Sequence, residues 1–165
     1  MRIPFLAMAL LCLVLQGCTL LRPPAADGQP SAAGSAPAKA ALAAEQRRLA
    51  ELFRDTPVDV SLQPDGSMRV TVPLAYSFDK GRRAVKPALG KVLDLVARSQ
   101  RSEATRFLVA APADPRSKGL MLATERATSA RDYMVARGVA ATRFSVSALG
   151  SGDAVVVVVA DLPAH

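Results

Sequence analysis

The residues able to do covalent or acid–base chemistry are few and far apart. His165 is the only histidine and the last residue. Ser-His-Asp catalysis needs an imidazole held between a nucleophile and a carboxylate, and no central histidine exists to supply it. Cys12 and Cys18 are the only thiols, and no His/Cys group has the spacing of zinc ligands. Asp79, Asp94, Glu103 and Asp114 stand singly along the chain. They read as solvated carboxylates, not as the facing pair that glycoside hydrolysis requires. Gly150-Ser151-Gly152 precedes no helical pattern, so it is no phosphate loop. The sequence predicts a binding protein, not an enzyme, with no metal and no cofactor.

The N-terminus supplies an address. Arg2 is followed by an apolar run from Ile3 to Leu15, the charged and hydrophobic regions of a secretory signal. The run is too short to span a bilayer. It ends in Leu15-Gln16-Gly17-Cys18, which resembles the lipobox of bacterial lipoproteins. The resemblance implies cleavage before Cys18 and acylation of that cysteine. Thr19 is not the Asp associated with inner-membrane retention, so the implied destination is the outer membrane. Residues 1–17 are then a lipoprotein signal, and acyl chains on Cys18 anchor the chain to lipid.

What remains of the 165 residues suffices for one domain and a tether. With Cys12 removed and Cys18 acylated, no disulfide can form, and the domain must rely on its hydrophobic core. The formal charge is +7, one less without Arg2. Such a basic balance would point to nucleic acid in a cytosolic protein. Here the basic residues are scattered (Arg47-Arg48, Arg82-Arg83, Arg98, Arg101, Arg106), and Tyr 2 with Trp 0 leaves a base-stacking platform poorly supplied. Nucleic acid is excluded as a partner; in an envelope setting the charge suits anionic lipid, wall polymer or an acidic protein.

These residues must be held by a recognisable series of elements. Residues 18–37 comprise the lipidated N-terminus and a stretch rich in Pro, Ala, Gly and Ser, which predicts a flexible linker reaching at most about 65 Å. Residues 38–56 are Ala-rich, with a helix over 38–54 that serves as a stalk or packs loosely on the domain. Val58–Leu62 and Met68–Leu74 flank Gln63-Pro64-Asp65-Gly66-Ser67, a hairpin with a Pro-Asp-Gly turn. Pro87 sits where a helix begins, and Leu89, Val92, Leu93 and Val96 form its apolar stripe. Phe107–Ala111 reads as a buried strand. Leu120, Ala123, Ala127, Ala130 and Met134 make a second stripe, closed by Gly138. Phe144–Leu149 alternates as a half-buried strand. Val155–Val159, with no polar position, predicts a central strand covered on both faces, or on one face plus a tail. The order ββαβαββ predicts an α+β fold: a two-layer sandwich with two helices on one face of a mixed β-sheet.

This order and several local strings resemble the OmpA-like, peptidoglycan-associating domain. Phe78-Asp79, Gly81 and Val85-Lys86-Pro87 are similar to the exit of the family's first strand region. Asp114, after Val109-Ala110-Ala111-Pro112-Ala113, matches the last residue of the family's Gly-His-Thr-Asp. Leu122, Arg126 and Ala127 match its Leu-Ser-x-x-Arg-Ala. Arg137-Gly138-Val139 and Ser147-Ala148-Leu149-Gly150 resemble the helix exit and the strand after it. The likeness covers about residues 68–160. Four features depart from the family pattern: the interval from Asp114 to Leu122 is shorter, Pro112 and Ala113 replace a donor and a hydroxyl, the segment between the last two strands is shorter, and the final strand lacks its Asn-Arg-Arg start.

In the family, the matching Asp and Arg grip the diaminopimelate of the peptidoglycan stem peptide. A carboxylate to meet an ammonium and a guanidinium to meet a carboxylate is minimal recognition of a zwitterion. Taken singly, Asp114 is also a turn residue and Arg126 a charge on a helix flank. At about 100° per residue, Arg126 falls roughly 80° from the centre of its apolar stripe, at the edge. The resemblance implies an outer-membrane lipoprotein whose OmpA-like domain, residues 57–162, faces the periplasm and tethers the envelope to peptidoglycan through Asp114 and Arg126. The alternative is a protein-binding scaffold subunit of an envelope machine, such as a secretion system, pilus or efflux assembly.

Overall fold

The computed structural model describes residues 32–101, 104–114 and 119–162. In chain order these form α1 (Ala32–Leu52), β1 (Asp59–Leu62), β2 (Met68–Pro73), a single-turn α2 (Leu74–Ser77), α3 (Pro87–Gln100), β3 (Thr105–Pro112), α4 (Leu120–Val135), a 3₁₀ turn (Ala141–Arg143), β4 (Phe144–Leu149) and β5 (Ala154–Asp161). The strands form one sheet in the order β1-β2-β5-β3-β4. All neighbours are antiparallel except β3 and β4, which run parallel. A parallel pair needs a crossover, and α4 provides it. This is the expected α+β sandwich on a mixed sheet.

Local chemistry sets the boundaries. In the β1–β2 turn, Asp65 Oδ1 accepts from Ser67 N at 2.9 Å and from Ser67 Oγ at 2.7 Å, while Gly66 takes φ 85°, a conformation that glycine adopts without strain. Pro87 opens α3 at its first turn, where no N–H is needed. After α4, Gly138 at φ 91° donates to Val135 O, and Val139 N donates to Met134 O. Together these are a Schellman motif, and buried Val139 seals it against the core.

The core lies between the sheet and its helices. Val157 of β5 pairs with Val70 on one side and Val109 on the other, and all three are essentially inaccessible. Leu89, Val92, Leu93 and Val96 of α3 are buried in the same cluster. The valine run is central, as its composition predicts, but only its alternate members Val155, Val157 and Val159 are buried; Val156 and Val158 are half-buried on the outer face. There Val158 pairs with Leu108 and Arg69, and Leu108 is exposed. A strand's side chains alternate, so one covered face protects only every second valine.

The structure corrects two further expectations. The helix expected over 38–54 begins at Ala32, inside the stretch read as linker, and continues through Pro37. It packs firmly: Leu42 and Leu49 belong to the main core, and Gln46 Nε2 donates to Val60 O of β1 at 2.7 Å. An edge strand carries unpaired backbone groups, and α1 satisfies one of them. Leu120, expected in the stripe of α4, is exposed, and Arg126 is buried in the face with Ala123, Ala127, Ala130 and Met134.

Aspartate at Val157 should cost several kcal/mol by burying an unpartnered charge, a large share of a domain's ~5–15 kcal/mol. The same change at Val158, on the outer face, should cost about 1 kcal/mol. Urea unfolding of Val157→Asp and Val158→Asp compares them directly. Equal losses would mean that the outer face is covered as well.

Candidate functional site

The site lies at the end of the sheet where β3 stops, α4 passes and the segment between α2 and α3 folds over. Ser77 closes α2: its hydroxyl donates to Val72 O and Pro73 O at 3.3 and 3.0 Å. Phe78 then enters the core, and the chain turns through Asp79, Lys80, Gly81 and Arg82, with Arg82 N donating to Asp79 O at 3.0 Å. Gly81 adopts φ 67°. The far end is tied down by Lys86, whose Nζ donates to Ala75 O at 2.8 Å and lies 3.2 Å from Asp79 Oδ1.

Arg126 reaches into the middle of this fold. Its Nε donates to Arg82 O at 2.9 Å, Nη1 to Pro112 O at 3.0 Å, and Nη2 to Asp79 O at 3.1 Å and Asp114 Oδ1 at 2.6 Å. The guanidinium carbon is 5.4 Å from the centre of the Phe78 ring. Asp114 completes the circuit: its Oδ2 accepts from Gly81 N at 2.7 Å. The Arg126 hydrogen bond, and then the Gly81 N–H, hold the Asp114 carboxyl below the usual carboxylate range. It is ionised at neutral pH.

The structure therefore brings Asp114 and Arg126 together but places them unequally. The Arg126 side chain is 0% exposed and that of Asp114 15%. Arg126 was expected at the edge of the helix stripe, reaching over the rim; instead the segment 79–82 covers it. Asp114 faces a cavity of about 650 Å³ lined by Pro73, Leu74, Ala75, Phe78, Lys80 and Asp153 besides itself. A larger groove of about 890 Å³ runs between Arg83–Val85 and the outer face of α4. It touches neither Asp114 nor Arg126, so the smaller cavity is the candidate.

Lys80 and Asp153 were not singled out by the sequence. Lys80 lies inside the Phe78–Gly81 string, and Asp153 in the turn between β4 and β5. Only the strand order, which sets the start of β5 beside β2, brings Asp153 to this cavity. Among the described residues no group of three or more His, Cys, Asp or Glu could hold a metal, and no helix is long and apolar enough to cross a membrane. Cys18, Glu103 and His165 lie outside the described residues.

Removing Arg126 would take the counter-charge from an ionised carboxylate and one hydrogen bond from each of three carbonyls. Arg126→Ala should cost about 3–5 kcal/mol, and Arg126→Lys should recover only part, since an ammonium lacks the planar fork. The Asp114 carboxyl titrates lower in the folded chain than in the unfolded one. Its contribution is therefore complete above the ordinary carboxylate value near pH 4 and is lost as pH falls through the depressed folded value. Asp114→Asn should flatten that part of the acid limb in urea unfolding between about pH 2 and pH 7; an unchanged limb would contradict the ion pair.

No protein-family model matches the chain. No curated protein matches it either. Solved structures do. The cell wall anchor of the T6SS from Pseudomonas aeruginosa is similar over 68% of this chain and 94% of that chain, at 20% identity and TM-score 0.57. A MotB-like protein from Desulfovibrio vulgaris is similar over 76% and 96%, at 14% identity and TM-score 0.63. The periplasmic domain of Helicobacter pylori MotB is similar over 64% and 80%, at 13% identity and TM-score 0.54. At these identities the likeness is one of fold, and it agrees with the resemblance carried by the motifs: this chain has the fold of an OmpA-like domain.

Proposed function

We propose that this chain is an outer-membrane lipoprotein that tethers the envelope to peptidoglycan without a covalent bond, with Asp114 as the group that meets the ligand. The observation that carries the reading is the Asp114–Arg126 pair at 2.6 Å, opening on a cavity at the rim of the sheet. The fold shared with a protein described as a cell wall anchor supports it. Asp114 accepts one hydrogen bond on each oxygen, and each oxygen has a further lone pair. The ammonium of a stem-peptide diaminopimelate can take those positions. Arg126 acts through Asp114: it keeps the carboxylate ionised and aimed. We take the folded unit to include α1, since Leu42 and Leu49 share its core, and residues before α1 to be the spacer from lipid-bearing Cys18.

The protein-scaffold reading is favoured by one observation. The Arg126 fork uses four of its five N–H groups on Arg82 O, Asp79 O, Pro112 O and Asp114, and its side chain is fully buried, so it presents no exposed donor to a ligand carboxylate. Sedimentation of the full chain, in detergent, with purified sacculi separates the two readings. Wild type should co-sediment, and Asp114→Asn should weaken binding by about 10- to 150-fold, the worth of a charged hydrogen bond of roughly 1.5–3 kcal/mol. Wild type left in the supernatant would pass the function to the scaffold reading.

The anchor is tested on its own. Cys18→Ala should abolish fatty-acid labelling and leave an unprocessed precursor, longer by the signal 1–17. Equal labelling of wild type and variant would remove the lipid anchor from the proposal.

A further inference from the structure

Resting on the peptidoglycan reading of the same cavity, we propose that the ligand's carboxylate is received by Lys80, and that Asp153 shares its ammonium with Asp114. The cavity is then a cradle for an α-amino-acid zwitterion at the end of an aliphatic stem, built from Asp114 and two side chains outside the Arg126 circuit.

A zwitterion needs a cation as well as an anion, and Arg126 cannot be that cation. It is 0% exposed, its Nη2 is shared between Asp114 and Asp79 O, and its Nε and Nη1 hold Arg82 O and Pro112 O. The one remaining N–H, on Nη1, belongs to the same fully buried side chain, so a ligand carboxylate could reach the guanidinium only by displacing the groups that cover it, among them Asp114, the group needed for the ammonium. Among the described residues Lys80 is the one basic residue lining the cavity. Lys86 is engaged by Ala75 O and Asp79, whereas no hydrogen bond or ion pair among the described residues engages the Lys80 ammonium. Its backbone is held in place, because Gly81 N, the next residue, donates to Asp114 Oδ2 at 2.7 Å. The Lys80 cation and the Asp114 carboxylate are therefore set at one opening.

Asp153 lines the same cavity. Its backbone carbonyl accepts from Leu74 N at 2.6 Å, which locks the start of β5 to α2, while its carboxylate has no partner among the described residues. An ammonium has three donors. Two carboxylates facing one cavity can engage it from two sides. Leu74, Ala75 and Phe78 line the remainder, an apolar surface suited to methylene groups. The charges that the described residues bring to the wall, two anions and one cation, match an ammonium plus a carboxylate better than either alone.

The test measures binding of small probes to the full chain in detergent by NMR line shifts at low salt. The probes are diaminopimelate, 1,5-diaminopentane (ammonium groups only) and pimelate (carboxylates only). Wild type should prefer diaminopimelate over both. Lys80→Ala should lose about 10-fold or more for diaminopimelate and bind 1,5-diaminopentane unchanged, so that the preference collapses; Lys80→Arg should restore it. Asp153→Asn should weaken diaminopimelate and 1,5-diaminopentane together. Lys80 and Asp153 are both exposed, and urea midpoints matching wild type confirm intact folding. If Asp114→Asn loses diaminopimelate while Lys80→Ala and Asp153→Asn bind like wild type, this inference falls and the peptidoglycan reading stands. If wild type binds neither diaminopimelate nor sacculi, both fall.

Discussion

The site end of this molecule is organised around one buried cation. A guanidinium removed from water is costly unless it is paired and its N–H groups are satisfied. Arg126 meets that condition with one carboxylate and three carbonyls drawn from two stretches far apart in sequence: 79–82, and the end of β3 through Asp114. Each partner depends on the others being in position. The segment after α2 cannot lift away without stripping carbonyls from the guanidinium, and β3 cannot end differently without removing both Pro112 O and Asp114. A lysine could not do this, because only a planar fork donates in several directions within one plane.

The rest of the fold makes room for that cation. Ala123, Ala127 and Ala130 are fully buried on the same face of α4, and their short side chains leave space in which a long one can lie. In the turn after α4, Arg137 lies over the Tyr133 ring and pairs with Asp94 of α3, so charge ties the end of α4 to α3. The sheet beneath is closed by α1 at its β1 edge. On its outer face Arg69 pairs with half-buried Val158 and Arg106 with Ala160, which keeps that face from being uniformly apolar.

The same arrangement divides the charges into two kinds. Arg126, Lys86 and Asp79 have internal partners and hold the backbone. Asp114 belongs to both kinds, since its oxygens are fixed from within by Arg126 and Gly81 yet it borders the cavity. Lys80 and Asp153 line the cavity with no hydrogen bond or ion pair to their side chains among the described residues. A carboxylate oriented before the ligand arrives loses little freedom on binding, and such preorganisation lowers the cost of association.

Much of this was legible in the residues alone. The Pro-Asp-Gly turn, Pro87 at a helix start, the Leu89–Val96 stripe and Gly138 at a helix end each act within a few residues, so local chemistry determined them. Composition made the valine run central, because no other position could bury it. Asp114 and Arg126 were legible as a pair only through the resemblance of the motifs around them. The helical wheel placed Arg126 at a stripe edge because it treats a helix as isolated; burial was decided by a segment more than forty residues away that covers the guanidinium with carbonyls. The half-exposed outer valines, the integration of α1 and the placing of Lys80 and Asp153 on one cavity were likewise decided by tertiary structure. Which face of a sheet is covered, and which turns share one end of it, depends on strand order, and strand order is set by the packing of the whole chain.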